Sequence, residues 1–107
     1  MIKQYIDAMV AQDHVALAAC FAPRCRLFDY CPGENNMQNF HVCGVAAVEM
    51  FFLNKFFFNT IRVSDPVITD ENTADYFVAY GDQYRHVQAK IESIVDGKIS
   101  VLVVRPL

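Results

Sequence analysis

The chain has 107 residues, of which 54% are hydrophobic, with nine Phe, five Tyr and no Trp. This length fits one domain, residues 1–107, and the apolar content predicts a large core together with an apolar pocket or an association surface. The formal net charge is −3 and the nine basic residues are scattered, which argues against a nucleic-acid partner.

The sequence also predicts a soluble, cytoplasmic protein that does not bind membranes. Its most apolar run, "FFLNKFFF" at residues 51–58, is interrupted by Asn54 and Lys55 and is far shorter than a membrane span. The opening stretch, "MIKQYIDAMVAQD", has Asp7 and Asp13 in a helical pattern and lacks the apolar core of a signal peptide.

Three helices are predicted in the first half of the chain, because apolar residues recur there at helical spacing. They cover residues 2–12, 14–21 and 45–55. Asp13 is suited to cap the second helix, and Gly44 precedes the third. Tyr5 belongs to the apolar stripe of the first helix and is expected to face the core.

The remaining segments are predicted to be mostly β. The strands cover residues 24–31, 57–69, 74–81, 84–95 and 98–107. Asp65-Pro66 predicts a bulge or an edge position, and Asp96-Gly97 predicts a tight turn before the last strand. The stretch 32–43, "PGENNMQNFHVC", is predicted to be a polar loop. This order of elements indicates an α+β fold with helices on one face of a curved antiparallel sheet.

The stretch "RCRLFDYCP" places a carboxylate on the apolar side of a strand. Arg24 and Arg26 should face water, so alternation turns Cys25, Leu27, Asp29 and Cys31 to the opposite side. A carboxylate in apolar surroundings is a candidate general base. The alternative is structural: Asp29 would accept hydrogen bonds from loop amides and anchor the end of its strand.

The four cysteines, Cys20, Cys25, Cys31 and Cys43, are expected to be reduced. Cys25 and Cys31 would lie roughly 20 Å apart along one strand, too far to form a disulfide. A zinc site that combines three of them with His41 would lack the short Cys-x₂₋₄-Cys spacing. Since a Gly-rich phosphate loop is missing as well, we expect neither a metal nor a nucleotide cofactor.

His41 is the histidine that the sequence favours as a site residue. It follows Phe40 in the loop expected to cover the pocket, where it would transfer protons near a carboxylate; alternatively, it is a solvated loop residue. Alternation places His86 on the outward side of its strand with Lys90, and His14 is expected to be exposed at the start of its helix.

Several strands are apolar on both sides. Along one strand, Tyr76, Val78 and Tyr80 alternate with Phe77 and Ala79. One face of the sheet is expected to contact the helices, and the other would be exposed in a monomer. A contiguous apolar patch of that kind usually marks an association surface. Phe28 and Tyr30 point away from Asp29 and fit that surface, so we expect a homodimer through the outer face of the sheet.

The order of elements resembles the NTF2-like superfamily, and within it the ketosteroid isomerase and SnoaL-type branch of small cone-shaped proteins. The resemblance depends on "YIDAMVAQD" (5–13), "FAPRCRLFD" (21–29), "GVAAVEMFF" (44–52) and "DGKI" (96–99). It covers nearly the whole chain. It implies three helices packed on a strongly curved, mostly antiparallel sheet, and it is more specific for the fold than for the reaction.

The resemblance also implies roles for two residues. In ketosteroid isomerases a tyrosine of the first helix donates a hydrogen bond to the substrate carbonyl, and an aspartate at the end of the first strand moves the proton. An ungapped alignment places Tyr5 and Asp29 on those positions. The isomerases use a protonated aspartic acid as a second donor, which here falls at or beside Ile91. The second donor is therefore missing, unless a bulge turns Ser93 or Glu92 inward.

Two classes of function remain open. One is an enzyme of the isomerase, cyclase or dehydratase kind that acts on a small apolar carbonyl compound, with Asp29 as general base and Tyr5 as oxyanion donor. The other is a non-catalytic, dimeric module whose cone binds an apolar ligand or none. The missing second donor favours the module, and the inward Tyr5 and Asp29 favour the enzyme.

Overall fold

A computed structural model describes the backbone of residues 1–107 and the side chains of all of them except Asn35 and Tyr80. The helices are α1 (Ile2–Ala11), α2 (His14–Ala18) and α3 (Val45–Phe57), with one 3₁₀ turn at Pro32–Asn35. The strands are β1 (Phe21–Asp29), β2 (Phe40–Cys43), β3 (Arg62–Asp70), β4 (Thr73–Tyr80), β5 (Gln83–Val95) and β6 (Lys98–Pro106). Among the parts of the chain that are described, no helix is long and apolar enough to span a membrane.

The six strands form one curved, open sheet in the order β2-β1-β6-β5-β4-β3. The pair β1–β6 is parallel, and the other neighbours are antiparallel. Helix α1 packs against β3 and β4, and α3 packs against β1 and β2. The predicted α+β cone, with three helices on one face of a mostly antiparallel sheet, is confirmed.

The first two helices form for the reasons that the sequence suggested. Ile2, Tyr5, Ile6 and Met9 have the spacing of one helical face, and all four are buried. The Asp13 carboxylate accepts a hydrogen bond from the Ala16 N–H at 3.0 Å, so it caps α2.

Several boundaries differ from the prediction, and the largest differences concern three segments. Helix α2 ends at Ala18, because the chain already enters β1 at Phe21, whose ring is buried in the core. Helix α3 continues to Phe57, so the strand predicted to begin at 57 begins at Arg62. The segment predicted as a loop contains β2, a four-residue edge strand that pairs with β1.

Two local predictions are confirmed by the backbone. Asp65 has φ 52°, and the register of β3 against β4 shifts between Ser64 and Val67, which is the expected bulge. Asp96 and Gly97 have φ values of 52° and 73°, as the tight turn between β5 and β6 requires.

The core lies between the helices and the inner face of the sheet. Along β1, Cys25 and Leu27 are buried while Arg24 and Arg26 are exposed, so the predicted alternation is confirmed. Since Asp29 is two residues beyond Leu27, it lies on the inner face as well.

Candidate active site

A cavity of about 590 Å³ opens between the inner face of the sheet and helices α1 and α3. Its buried lining includes Tyr5, Leu27, Tyr76 and Val87. Its exposed lining includes Met37, Phe40, Asp82 and Gln83. The volume lies within the range of about 300–1,000 Å³ that is typical of small-molecule sites.

Two tyrosines meet in the buried part of this cavity. Tyr5 is 0% exposed and Tyr76 is 1% exposed, and their hydroxyl oxygens lie 3.4 Å apart. Burial raises the pKa of both phenols above the usual value of 10.0, and the charge of Asp29 adds to this effect. Both hydroxyls therefore remain protonated hydrogen-bond donors throughout the physiological pH range.

The tyrosine pair leaves one donor for a ligand. Each hydroxyl has a single hydrogen, and the bond between them uses only one of the two. The hydrogen bond with Tyr76 lowers the pKa of Tyr5, whereas the same bond raises that of Tyr76. Either hydroxyl can be the donor within the pair, so one hydrogen of the pair is available to an acceptor in the cavity.

Asp29 ends β1, and its side chain lines the same cavity. Its Oδ1 accepts the backbone N–H of Cys31 at 3.0 Å, a local turn typical of aspartate. Burial, followed by the charge of Asp29 and a hydrogen bond with its side chain, raises the pKa of the Cys31 thiol to about 12. Cys31 therefore remains a neutral thiol beside the carboxylate.

Of the three predicted site residues, the structure brings Tyr5 and Asp29 to one cavity and leaves His41 outside it. Phe40 lines the cavity, and because both residues lie on β2, His41 points to the opposite side of the sheet. There its ring stacks on Phe28 with a centroid distance of 4.3 Å, and its Nε2 lies 3.4 Å from the Cys43 sulfur.

The strand position at or beside which the resemblance implies a second donor carries Ile91. Ile91 is buried on the inner face, and the register does shift between Ile91 and Ser93. Glu92 is nevertheless exposed, and neither Glu92 nor Ser93 lines the cavity. The second hydroxyl of the site comes instead from Tyr76 of β4, which sequence reasoning did not select. Its only sequence signal was a polar-tipped aromatic residue on a strand that is apolar on both faces.

Two basic residues lie among the lining residues at the exposed part of the cavity. Lys55 Nζ lies 4.8 Å from the ring centroid of Phe40 and 5.3 Å from that of Phe51. On β5, the Arg85 guanidinium forms an ion pair with Glu34 of the 3₁₀ turn. Positive charge is therefore present in the lining of a largely apolar cavity.

A second depression, of about 550 Å³, lies between α1, α2 and the β5–β6 turn. It is more open, and its lining combines four alanines with polar and charged residues such as Gln4, Asp7 and Lys98. Among the residues described, no group of three or more His, Cys, Asp or Glu could hold a metal ion.

Comparison with known proteins identifies the fold. No family model matches the sequence, and no curated protein is similar enough to serve as a relative. A structure from Kribbella flavida, described as a "putative ketosteroid isomerase", aligns with 99% of this chain and 74% of its own at 16% identity and a TM-score of 0.71. A SnoaL-like protein of unknown function from Burkholderia thailandensis aligns with 99% and 91% at 10% identity and a TM-score of 0.70.

These matches define the class of protein. The chain has the NTF2-like, cystatin-like α+β fold, as the resemblance implied. A de novo designed protein with a curved β-sheet also aligns with 99% of this chain and 86% of its own, at 17% identity and a TM-score of 0.61. Since a designed scaffold shares the fold, an activity has to be argued from the cavity.

Proposed function

We propose that this protein is an isomerase, cyclase or dehydratase that moves a proton on a carbon beside the carbonyl group of a small apolar compound. Asp29 is the general base, and Tyr5 donates a hydrogen bond to the developing oxyanion. The observation that carries this proposal is the presence of a carboxylate and a buried tyrosine pair in the lining of one largely apolar cavity.

The proposed step is a proton transfer. The Asp29 carboxylate removes the proton from the α-carbon, and the electron pair of that C–H bond moves through the carbonyl group to its oxygen. The Tyr5 hydroxyl stabilises the resulting enolate, since a fixed donor in a site with little water stabilises a new negative charge strongly. Protonated Asp29 then returns the proton to the same carbon or to a conjugated one. Tyr76 positions Tyr5 by donating to its oxygen.

The experiment measures exchange of α-protons for deuterium by NMR, with neutral probes such as methyl 5-benzoylpentanoate and other aryl and cycloalkyl ketones. We expect the protein to accelerate exchange and Asp29→Asn to reduce the acceleration by about 10²–10⁴-fold. Asp75→Asn is the matched control, because Asp75 bonds Gln88 and is absent from the cavity lining. No acceleration with any probe, or an Asp29→Asn variant as fast as wild type, would contradict the proposal.

A non-catalytic binding module is the second candidate. Two points favour it: the resemblance implies a second donor at or beside the apolar, buried Ile91, and Asp29 already accepts a hydrogen bond from the Cys31 backbone N–H. The same probes separate the two functions. Saturable binding of a ketone without accelerated exchange would support the module, and exchange that depends on Asp29 would exclude it.

We also propose that the protein is a homodimer through the outer face of the sheet. Phe28 stacks on Tyr30 and His41, and Phe77 stacks on His86, on the side away from the cavity. A second copy would remove these rings from water, which is the main driving force for association of apolar surfaces.

A further inference from the structure

We infer that the compound bound in this cavity is a keto acid, with a ketone at Tyr5, an apolar middle and a carboxylate at Lys55. The inference rests on the proposed function, because it names the substrate class of the same site.

Lys55 is held at the cavity by aromatic rings. It lies in the last turn of α3 and is half-buried, and its ammonium lies near the ring faces of Phe40 and Phe51. Both rings line the cavity, as Lys55 itself does. A surface lysine normally extends its ammonium into bulk water. Two cation–π contacts instead keep this charge beside the space that a ligand would occupy.

Among the described residues, no acidic partner lies beside the charge of Lys55. The salt bridges in the described part of the chain join Lys3 to Asp7, His14 to Glu49 and Arg85 to Glu34. No described carboxylate lies within the 4.0 Å salt-bridge distance of Lys55 Nζ. The positive charge of Arg85 is thus matched by an acid, whereas that of Lys55 is left for a ligand.

The other charges of the lining determine where an anion can lie. The carboxylates of Asp29 and Asp82 repel a ligand carboxylate. Arg85 already forms an ion pair with Glu34, which offsets its positive charge. The ammonium of Lys55 has three donors that a carboxylate can accept. A ligand with one anionic end is therefore oriented, with that end at Lys55 and its carbonyl group at the tyrosine pair.

The test compares acids with their neutral esters. The probes are 3-benzoylpropanoate, 4-benzoylbutanoate and 5-benzoylpentanoate, each beside its methyl ester, with dissociation constants measured by NMR titration. We expect at least one acid to bind about tenfold more tightly than its ester, as one charge-assisted hydrogen bond provides. Lys55→Met should abolish this preference. Lys90→Met, which removes an exposed lysine absent from the lining, should keep the preference.

The outcomes separate this inference from the proposed function. Equal affinity for every acid and its ester, or a preference that survives in Lys55→Met, overturns the keto-acid assignment. If, in that case, the esters show α-proton exchange that depends on Asp29, the proposed function stands without the keto-acid assignment. If none of the six compounds binds, both are overturned. A preference that Lys55→Met abolishes supports the inference even where no exchange is catalysed.

Discussion

The hydroxyl oxygens of Tyr5 and Tyr76 lie 3.4 Å apart in the interior, although 71 residues separate them along the chain. The contact forms because the apolar face of α1 packs across β3 and β4, where Tyr76 faces inward. The fold thus buries two hydroxyl groups within hydrogen-bond distance of each other.

This relationship predicts coupling between the two positions. Tyr5→Phe and Tyr76→Phe should each lower the free energy of unfolding by about 1 kcal/mol, because each leaves a buried hydroxyl without its partner. The double variant should lose less than the sum, since it leaves no orphaned hydroxyl. Urea unfolding of the four proteins measures the coupling. Additive losses would show that the two hydroxyls do not interact.

The two tyrosines should differ in catalysis. Tyr5→Phe removes the proposed oxyanion donor and should slow α-proton exchange by about 10²–10³-fold. Tyr76→Phe removes only the group that positions Tyr5, so its effect should be smaller. A larger loss in Tyr76→Phe than in Tyr5→Phe would assign the donor role to Tyr76.

Much of the site could be predicted from local patterns. Alternation fixed the side of β1 that carries Asp29, because Arg24 and Arg26 marked the opposite face. Helical spacing fixed the inward direction of Tyr5 in the same way. Each inference requires a segment with one polar and one apolar face. Both β1 and α1 are of this kind.

The remaining features depend on tertiary contacts. Strand β4 is apolar on both faces, so alternation alone could not tell whether Tyr76 or Phe77 faces the cavity. β2 has only four residues and follows a polar stretch, so it could not be recognised without its partner β1. Missing it placed His41 in a loop over the pocket. The Glu34–Arg85 pair joins segments 51 residues apart, which no local pattern reveals.

Alkaline pH should destabilise the protein. Burial raises the pKa of Tyr5 and Tyr76, so the unfolded chain releases their protons at lower pH than the folded chain does. The stability contributed by the protonated phenols is complete below the tyrosine pKa of the unfolded chain, near 10.0. It is lost as the pH rises above that value towards the pKa of the folded chain. Each buried tyrosine should add a slope of about 1.4 kcal/mol per pH unit. Cys31, whose pKa rises from 9.0 to about 12, should start the decline earlier.

Urea unfolding from neutral to strongly alkaline pH, with a reductant present, measures this decline. Tyr76→Phe should flatten it above the ordinary tyrosine pKa. Tyr84→Phe is the matched control, because Tyr84 is largely exposed, and it should follow wild type. A stability that stays constant through the alkaline range would contradict the burial of these phenols.

The ion pair between Glu34 and Arg85 should restrain the segment beside the cavity. It joins the 3₁₀ turn to β5, and Pro32 and Met37 on either side of Glu34 line the cavity. Glu34→Gln should change overall stability by at most about 1 kcal/mol, as is usual for a partly exposed pair. It should nevertheless speed backbone amide exchange around the turn, where the Met37 N–H bonds the Pro32 carbonyl.

Hydrogen–deuterium exchange with mass spectrometry of residues 31–39 measures this effect. Asp7→Asn is the matched control, because it breaks the exposed Lys3–Asp7 pair away from the cavity. Faster exchange in Glu34→Gln but not in Asp7→Asn is expected. Equal exchange in wild type and Glu34→Gln would mean that the ion pair does not restrain the turn.

The proposed dimer interface on the outer face of the sheet can be tested by substitution of Phe77. Phe77 lies on the outer face of β4, paired in register with His86 of β5 and stacked on its ring, so a second copy would bury both. Phe77→Lys places a charge in that interface and should weaken association by about 2 kcal/mol or more, the size of an interface hot spot.

Val15→Lys is the control, since Val15 is an exposed apolar residue on α2, away from the sheet. Sedimentation equilibrium should find wild type and Val15→Lys dimeric and Phe77→Lys shifted to monomer. A wild-type protein that stays monomeric at micromolar concentration would leave Phe28 and Phe77 exposed to water and would contradict the proposed interface.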